Sequence, residues 1–201
     1  MSQEAISAQE RLVTADELLD MGDVGPCELI DGRIVAMVPT GGEHARIESA
    51  LGLDLALFVR QHALGWVMVG EVGIYTRRSP DRVRGADIAF LSRARMPAGP
   101  PRGFLEVAPE LVAEIISPGD RWQAVQQKIE EYFEFGVGQV WIVEPENRIL
   151  SAYRSPADIR KFSEGERLRG EGVLEGFVLE IEALFAGAGS QCRFLDHDER
   201  S

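Results

Sequence analysis

Hydrophobic and polar positions change period several times along the chain, and the changes mark out its elements. "TADELLDMG" sets Thr14 three residues before Glu17, a capping box ahead of Leu18 and Leu19, and predicts a short helix. "ELIDGRIVAM" holds two short apolar runs around Asp31-Gly32, the pattern of a β-hairpin. In "TGGEHARIESALGLDLALFVRQH", Ile47, Leu51, Leu55 and Phe58 recur at helical spacing. Leu53, Leu57 and Val59 lie on the opposite side, so the predicted helix over 43–62 is expected to be covered on much of its circumference.

Strand patterns follow. "GWVMVGEVGIYTRR" predicts a strand over 65–75, bent at Gly70 or Gly73, and "GADIAFLS" a second over 87–91. "MPAGPPRGFLEVAP" is a Pro/Gly-rich loop. "LVAEIIS" reads as a strand over 111–117 buried on both faces, broken by Pro118-Gly119, with Asp120 placed to cap the next element. That element, "RWQAVQQKIEEYFEFG", is a helix over 120–135 with Trp122, Val125, Ile129, Tyr132 and Phe133 on its apolar face and Gly136 at its end. Trp122 and Trp141 read as core. "QVWIVEP" is a strand including 140–143, and "RILSAYR" and "GFVLEIEALF" predict further strands and a closing turn of helix.

From Glu43 to Glu144 the order is helix, strand, strand, strand, helix, strand. This implies an α/β fold, a mixed central sheet with helices on its faces, preceded by a hairpin and followed by additional C-terminal strands. The expected organisation is an N-terminal adaptor over 1–26, one domain over 27–188 and a frayed tail over 189–201.

Composition narrows the class. The chain has 201 residues and carries a formal net charge of -12. Such a surface repels the phosphate backbone and argues against loose electrostatic binding of nucleic acid, though a local basic patch stays compatible with it. No run of about 20 apolar residues is present, so no membrane span is expected. The polar, acidic start has no secretory pattern, and Cys27 and Cys192 read as free thiols in a reducing cytoplasm, with a long-range disulfide as the alternative.

Two carboxylates interrupt apolar strands: Asp87 in "GADIAFLS" and Glu114 in "LVAEIIS". Glu48 shares a helix face with Leu51 and Leu55. A carboxylate taken out of water must be paired, protonated or bound to metal. Two on neighbouring strands repel unless a proton or cation sits between them, and a divalent ion with hard oxygen ligands satisfies both. Lys128 lies on one helical stripe with Arg121, Val125 and Tyr132 and can lean toward the sheet. Each residue also has a structural reading: a turn cap for Asp87, a salt bridge for Glu114, solvated helix flanks for Lys128 and Glu48, core for Tyr132, and a surface or cap position for His44.

These residues, with "ELIDGRIVAM", His44, "RGADIAFLS", "LVAEIISPGD", "KIEEYFEFGVGQVWIVEPE" and "GFVLEIEALF", resemble the Uma-type restriction-endonuclease family of the PD-(D/E)xK nuclease superfamily. Proline is replaced by Ala86 before Asp87, and the strand lysine by Ile116, with Lys128 on the following helix in its place. The resemblance implies a restriction-endonuclease-like core that hydrolyses DNA with Mg²⁺ or Mn²⁺. Asp87, Glu114 and the Ile115 carbonyl would hold the ion, Lys128 would assist, and Glu48, Tyr132 and His44 would be accessory. DNA contacts are expected from Arg77, Arg78, Arg82, Arg84 and Arg121, and the assembly is expected to be a homodimer. The alternative is a catalytically inactive dimeric interaction protein on the same fold.

Overall fold

The computed structural model describes residues 11–186; the expected tail over 189–201, Cys192 and the first ten residues lie outside them. The capping box at Thr14 opens α1 (Ala15–Asp20), which buries Ala15 and Leu18 against Leu29, Tyr75 and Val83. β1 (Cys27–Ile30) and β2 (Arg33–Ala36) form the hairpin, and Asp31 (φ 53°) and Gly32 (φ 75°) both take the left-handed backbone that its two-residue turn requires.

α2 (Gly42–Gln61) follows, then β3 (Gly65–Arg77), β4 (Arg82–Ser92) and β5 (Leu111–Ile115). α3 (Trp122–Phe135) ends at Gly136, whose φ of 103° allows the left-handed cap. β6 (Gln139–Glu144), β7 (Ile149–Ser155), β8 (Asp158–Ser163), β9 (Arg167–Arg169), β10 (Val178–Glu180) and α4 (Ile181–Phe185) complete the described chain.

The main sheet runs β2-β1-β4-β5-β6-β7-β8, with β3 also paired to β4. β5 and β6 are parallel and their other neighbours antiparallel, so the sheet is mixed as expected. Ile47, Leu51, Leu55 and Val59 of α2 pack with Leu111, Ala113 and Ile115 of β5. Ile129 and Tyr132 of α3 pack with Val112 of β5 on the alternate residues. Glu114 follows the alternation of Val112 and so meets α3.

β4 positions the site. One of its edges is taken by β3 from Gly65–Ser92 to Arg77–Arg82. The other is shared in line by β1, paired at Leu29–Val83, and β5, paired from Ile88–Ala113 to Phe90–Leu111. Between those partners lie Arg84 to Asp87, with a free backbone edge that side chains must satisfy. Opposite the same stretch β3 bulges: Val69 pairs Ile88 and Val72 pairs Ala86, leaving Gly70 and Glu71 (φ 51°) against Asp87 alone.

Several expectations change. The apolar face of α3 begins at Val125; Trp122 is 44% exposed because it is the first residue of the helix, whereas Trp141 is buried. The cap of α3 is Arg121, since Asp120 instead accepts from the Ser117 N–H at 2.7 Å and closes the Pro118-Gly119 turn. Leu53 and Leu57 are exposed, so α2 is covered on one face only. β8 and β9 are too polar to read as strands from sequence.

Candidate active site

The edge left free on β4 opens into a cleft of about 540 Å³ lined by Glu28, Glu71, Asp87, Glu114 and Lys128 among others. Its backbone is satisfied by ionised side chains. The Gly85 N–H donates to Glu28 at 3.0 Å, and the Gly85 carbonyl accepts from Lys128 Nζ at 2.6 Å. Where the β4–β5 ladder stops, Asp87 Oδ2 accepts the Ile115 N–H at 2.6 Å. A side chain at Gly85 would displace the Glu71 carboxylate, whose Oε2 lies 2.6 Å from where a Cβ would sit.

Asp87 and Glu114 are held by different helices. Glu114 is buried, accepting from Lys128 Nζ at 2.9 Å and from the Tyr132 hydroxyl at 2.6 Å. Burial pushes its carboxyl up to about 8; Lys128 acts against that rise and Asp87 adds to it. Burial works against the Lys128 ammonium too, but Glu114 and Glu28 outweigh it and raise its pKa. Burial also disfavours charge on Glu28, yet Lys128 and Arg84 bring its pKa below the ordinary value. Lys128 is therefore a fixed cation, 3.4 Å from Glu28 as well as bonded to Glu114.

Asp87 faces α2. Its Oδ1 lies 3.3 Å from His44 Nε2, which lies 4.0 Å from Glu48 Oε2 one turn further along the helix. Among the described residues these three offer ligand atoms within 4.8 Å of one another. His44 is buried, shares a hydrogen bond of 3.1 Å between Nδ1 and Ser117 Oγ, and leaves Nε2 without a hydrogen-bond partner. Burial raises the Glu48 and Glu71 pKa values, and Asp87 adds to both. The contact with Asp87 raises that of His44, against burial.

The expected site residues thus separate. Asp87, Glu114, Lys128, Ile115, Tyr132 and His44 all line the cleft. Asp87 is grouped with His44 and Glu48, while Glu114 is engaged by Lys128 and Tyr132, and Ile115 contacts Asp87 through its N–H. Glu28 and Glu71 escaped the sequence reading. The hairpin strand gave Glu28 the look of a solvent-facing residue, and Glu71, which stays exposed, is turned toward the cleft by the bulge.

The expected DNA-contacting arginines divide too. Arg82 and Arg84 are buried: Glu131 on α3 accepts from both, Asp31 from Arg82, and Glu28 from Arg84 at 2.7 Å. They brace the hairpin and α3 against β4 and are not free surface cations. Arg77 pairs with Asp31 and Arg78 with Glu106, both largely exposed, and Arg121 is exposed at the start of α3. No helix among the described residues is long and apolar enough to cross a membrane, which leaves membrane strands unaddressed.

Comparison with known proteins agrees with this architecture. A crystal structure described as "a putative nuclease belonging to DUF820 from Anabaena variabilis ATCC 29413" superposes with a TM-score of 0.74 at 23% identity, covering 86% of this chain and 97% of that one. At that identity the likeness shows the fold. No curated protein matches the chain. The pattern of one family, Uma2, described as "Putative restriction endonuclease", matches residues 15–182, from α1 to α4, and the chain belongs to that family.

Proposed function

We propose that the protein is a divalent-metal-dependent endonuclease that hydrolyses DNA phosphodiester bonds. One observation carries this reading: buried His44 and Asp87, grouped with half-buried Glu48, line the cleft that also holds the fixed cation Lys128. A buried imidazole nitrogen without a hydrogen-bond partner, set between two carboxylates, fits a bound cation. His44, Glu48 and Asp87 would hold it, with Glu71 close enough to add negative charge. When bound, the ion supplies Lewis-acid stabilisation of the phosphate and eases deprotonation of the attacking water.

The chain's own groups do the rest. Lys128, gripped by Glu28, Glu114 and the Gly85 carbonyl, presents preorganised positive charge where negative charge grows on the phosphate oxygens. Tyr132 and Lys128 together hold Glu114 in place and keep it from swinging. Exposed Arg77, Arg78 and Arg121 would meet the DNA backbone despite the net charge of -12.

The test is nicking and linearisation of supercoiled plasmid with Mg²⁺, Mn²⁺ or EDTA. Cleavage is expected with metal and lost in EDTA. Lys128→Met should lower it about 10²–10³-fold, as loss of one preorganised donor does. Metal binding without cleavage of any DNA form, by a folded protein, would transfer the assignment to a dimeric interaction protein on the same scaffold.

A further inference from the structure

His44 enters the cluster in a fixed orientation. Its Nδ1 is occupied by Ser117 Oγ at 3.1 Å. With Nδ1 on that hydroxyl, Nε2 is the nitrogen turned to the carboxylates, with Asp87 Oδ1 at 3.3 Å and Glu48 Oε2 at 4.0 Å. His44 is only 8% exposed, so a proton on Nε2 or a cation, and not bulk water, must sit between it and the carboxylate oxygens. Ligand atoms bound to a common ion at about 2.1–2.2 Å lie at most about 4.4 Å apart, and both of these separations fall inside that limit. The arrangement of Ser117, imidazole and ion site is that of a ligand histidine whose second nitrogen is fixed by an outer partner.

We propose that this is a mixed nitrogen–oxygen site that selects a first-row transition ion, with Mn²⁺ as the probe, over Mg²⁺, and that His44 is the selecting ligand. The inference rests on the metal-dependent reading above and specifies its ion. Mg²⁺ is a hard, strongly hydrated ion that takes oxygen ligands and keeps its waters. An imidazole nitrogen in place of one oxygen favours the softer transition ions. Glu114 takes no part in the selection, because both its oxygens are engaged by Lys128 and Tyr132. Ser117 is a positioning residue: its hydroxyl sets which nitrogen is free.

Two measurements on the full chain test this. Titration calorimetry at pH 8 should give at least tenfold tighter binding of Mn²⁺ than of Mg²⁺. Pulsed electron paramagnetic resonance of bound Mn²⁺ should show coupling to one imidazole ¹⁴N. His44→Gln should abolish the ¹⁴N coupling and bring the two affinities within about threefold, and Ser117→Ala should weaken Mn²⁺ roughly tenfold or more. Equal affinities in the parent, or bound Mn²⁺ without ¹⁴N coupling, would overturn the proposal even if His44→Gln fails to fold. The nuclease reading fails separately. Mn²⁺ bound with nitrogen coupling but no cleavage leaves the selective site standing, and Mg²⁺-supported cleavage without nitrogen coupling leaves the nuclease standing.

Discussion

Glu28 on the hairpin lies 3.4 Å from Lys128 on α3, and both bond the backbone of Gly85 between them. The hairpin, which stands outside the helix–strand–strand–strand–helix–strand core, thereby supplies part of the site.

Glu28→Gln keeps the Gly85 contact and removes the charge that steadies Lys128. A hydrogen bond to a charged group contributes about 1.5–3 kcal/mol, so a clear fall in the urea midpoint is expected together with slower cleavage. If kcat stayed at the parental value while stability fell, Glu28 would be a brace for the hairpin alone.

Lys128→Met leaves Glu114 buried without its cation. Breaking a buried pair costs about 3–5 kcal/mol when the remaining charge is uncompensated. Glu114 has a way out, since burial already sets its pKa near 8 and a proton removes the charge. The destabilisation should therefore be larger at about pH 9 than at about pH 6. A cost independent of pH would show that Glu114 is not the group left behind.

In EDTA the free protein should lose stability as pH rises from about 5 to about 8. Glu48, Glu71 and Glu114 have folded pKa values above their ordinary 4.5, and His44 above 6.5. Each stabilises the fold fully below its unfolded pKa and loses that contribution as pH climbs through the folded value, for Glu114 near 8. The slope is about 1.4 kcal/mol per pH unit for each extra proton the native state holds. Glu28, with its lowered pKa, acts in the opposite sense only as pH falls below about 4.5. Urea midpoints in EDTA that are flat or rise across this range would contradict the strained carboxylate cluster, and saturating Mn²⁺ should reverse the trend.

The two classes of arginine should separate cleanly. Arg84→Met removes a buried partner of both Glu131 and Glu28 and should cost about 3–5 kcal/mol in unfolding free energy. Arg121→Ala should leave stability within about 0.5 kcal/mol. It should instead weaken DNA binding and reduce the salt slope by about 1. A normal salt slope for Arg121→Ala would remove it from the DNA-facing surface.

We expect a homodimer. β2 is an edge strand exposed along its length, and Ile34, Val35 and Val38 lie open there, as Leu53 and Leu57 do on α2. Light scattering at micromolar concentration should give twice the monomer mass. Val35→Lys should shift it toward monomer if β2 is the contact; a monomeric parent would end the expectation.

The sequence carried the frame of the site because its signal is local. A carboxylate inside an apolar strand, as Asp87 and Glu114 are, stands out without knowledge of its partners. The partners themselves were harder to see. Arg82 and Arg84 alternate with apolar residues in "RVR" and look solvent-facing, but their counterions Glu28, Asp31 and Glu131 come from the hairpin and α3. Glu131 sits in the acidic run "KIEEY", which reads as a wet helix flank until α3 is docked. The division of Asp87 to α2 and Glu114 to α3 depends on where the β4–β5 ladder stops, which periodicity does not encode.

The bulge at Gly70 and Glu71 also absorbs one residue without disturbing the pleat on either side of it. Val69 stays opposite Ile88 and Val72 opposite Ala86, so three steps along β3 match two along β4, and Ile74 and Tyr75 keep their faces. Losing the Glu71 codon would leave two steps against two, a regular ladder with those faces unchanged. The strand would lose its bulge and the cleft its acid: Glu71 is spare to the ladder and belongs to the cleft.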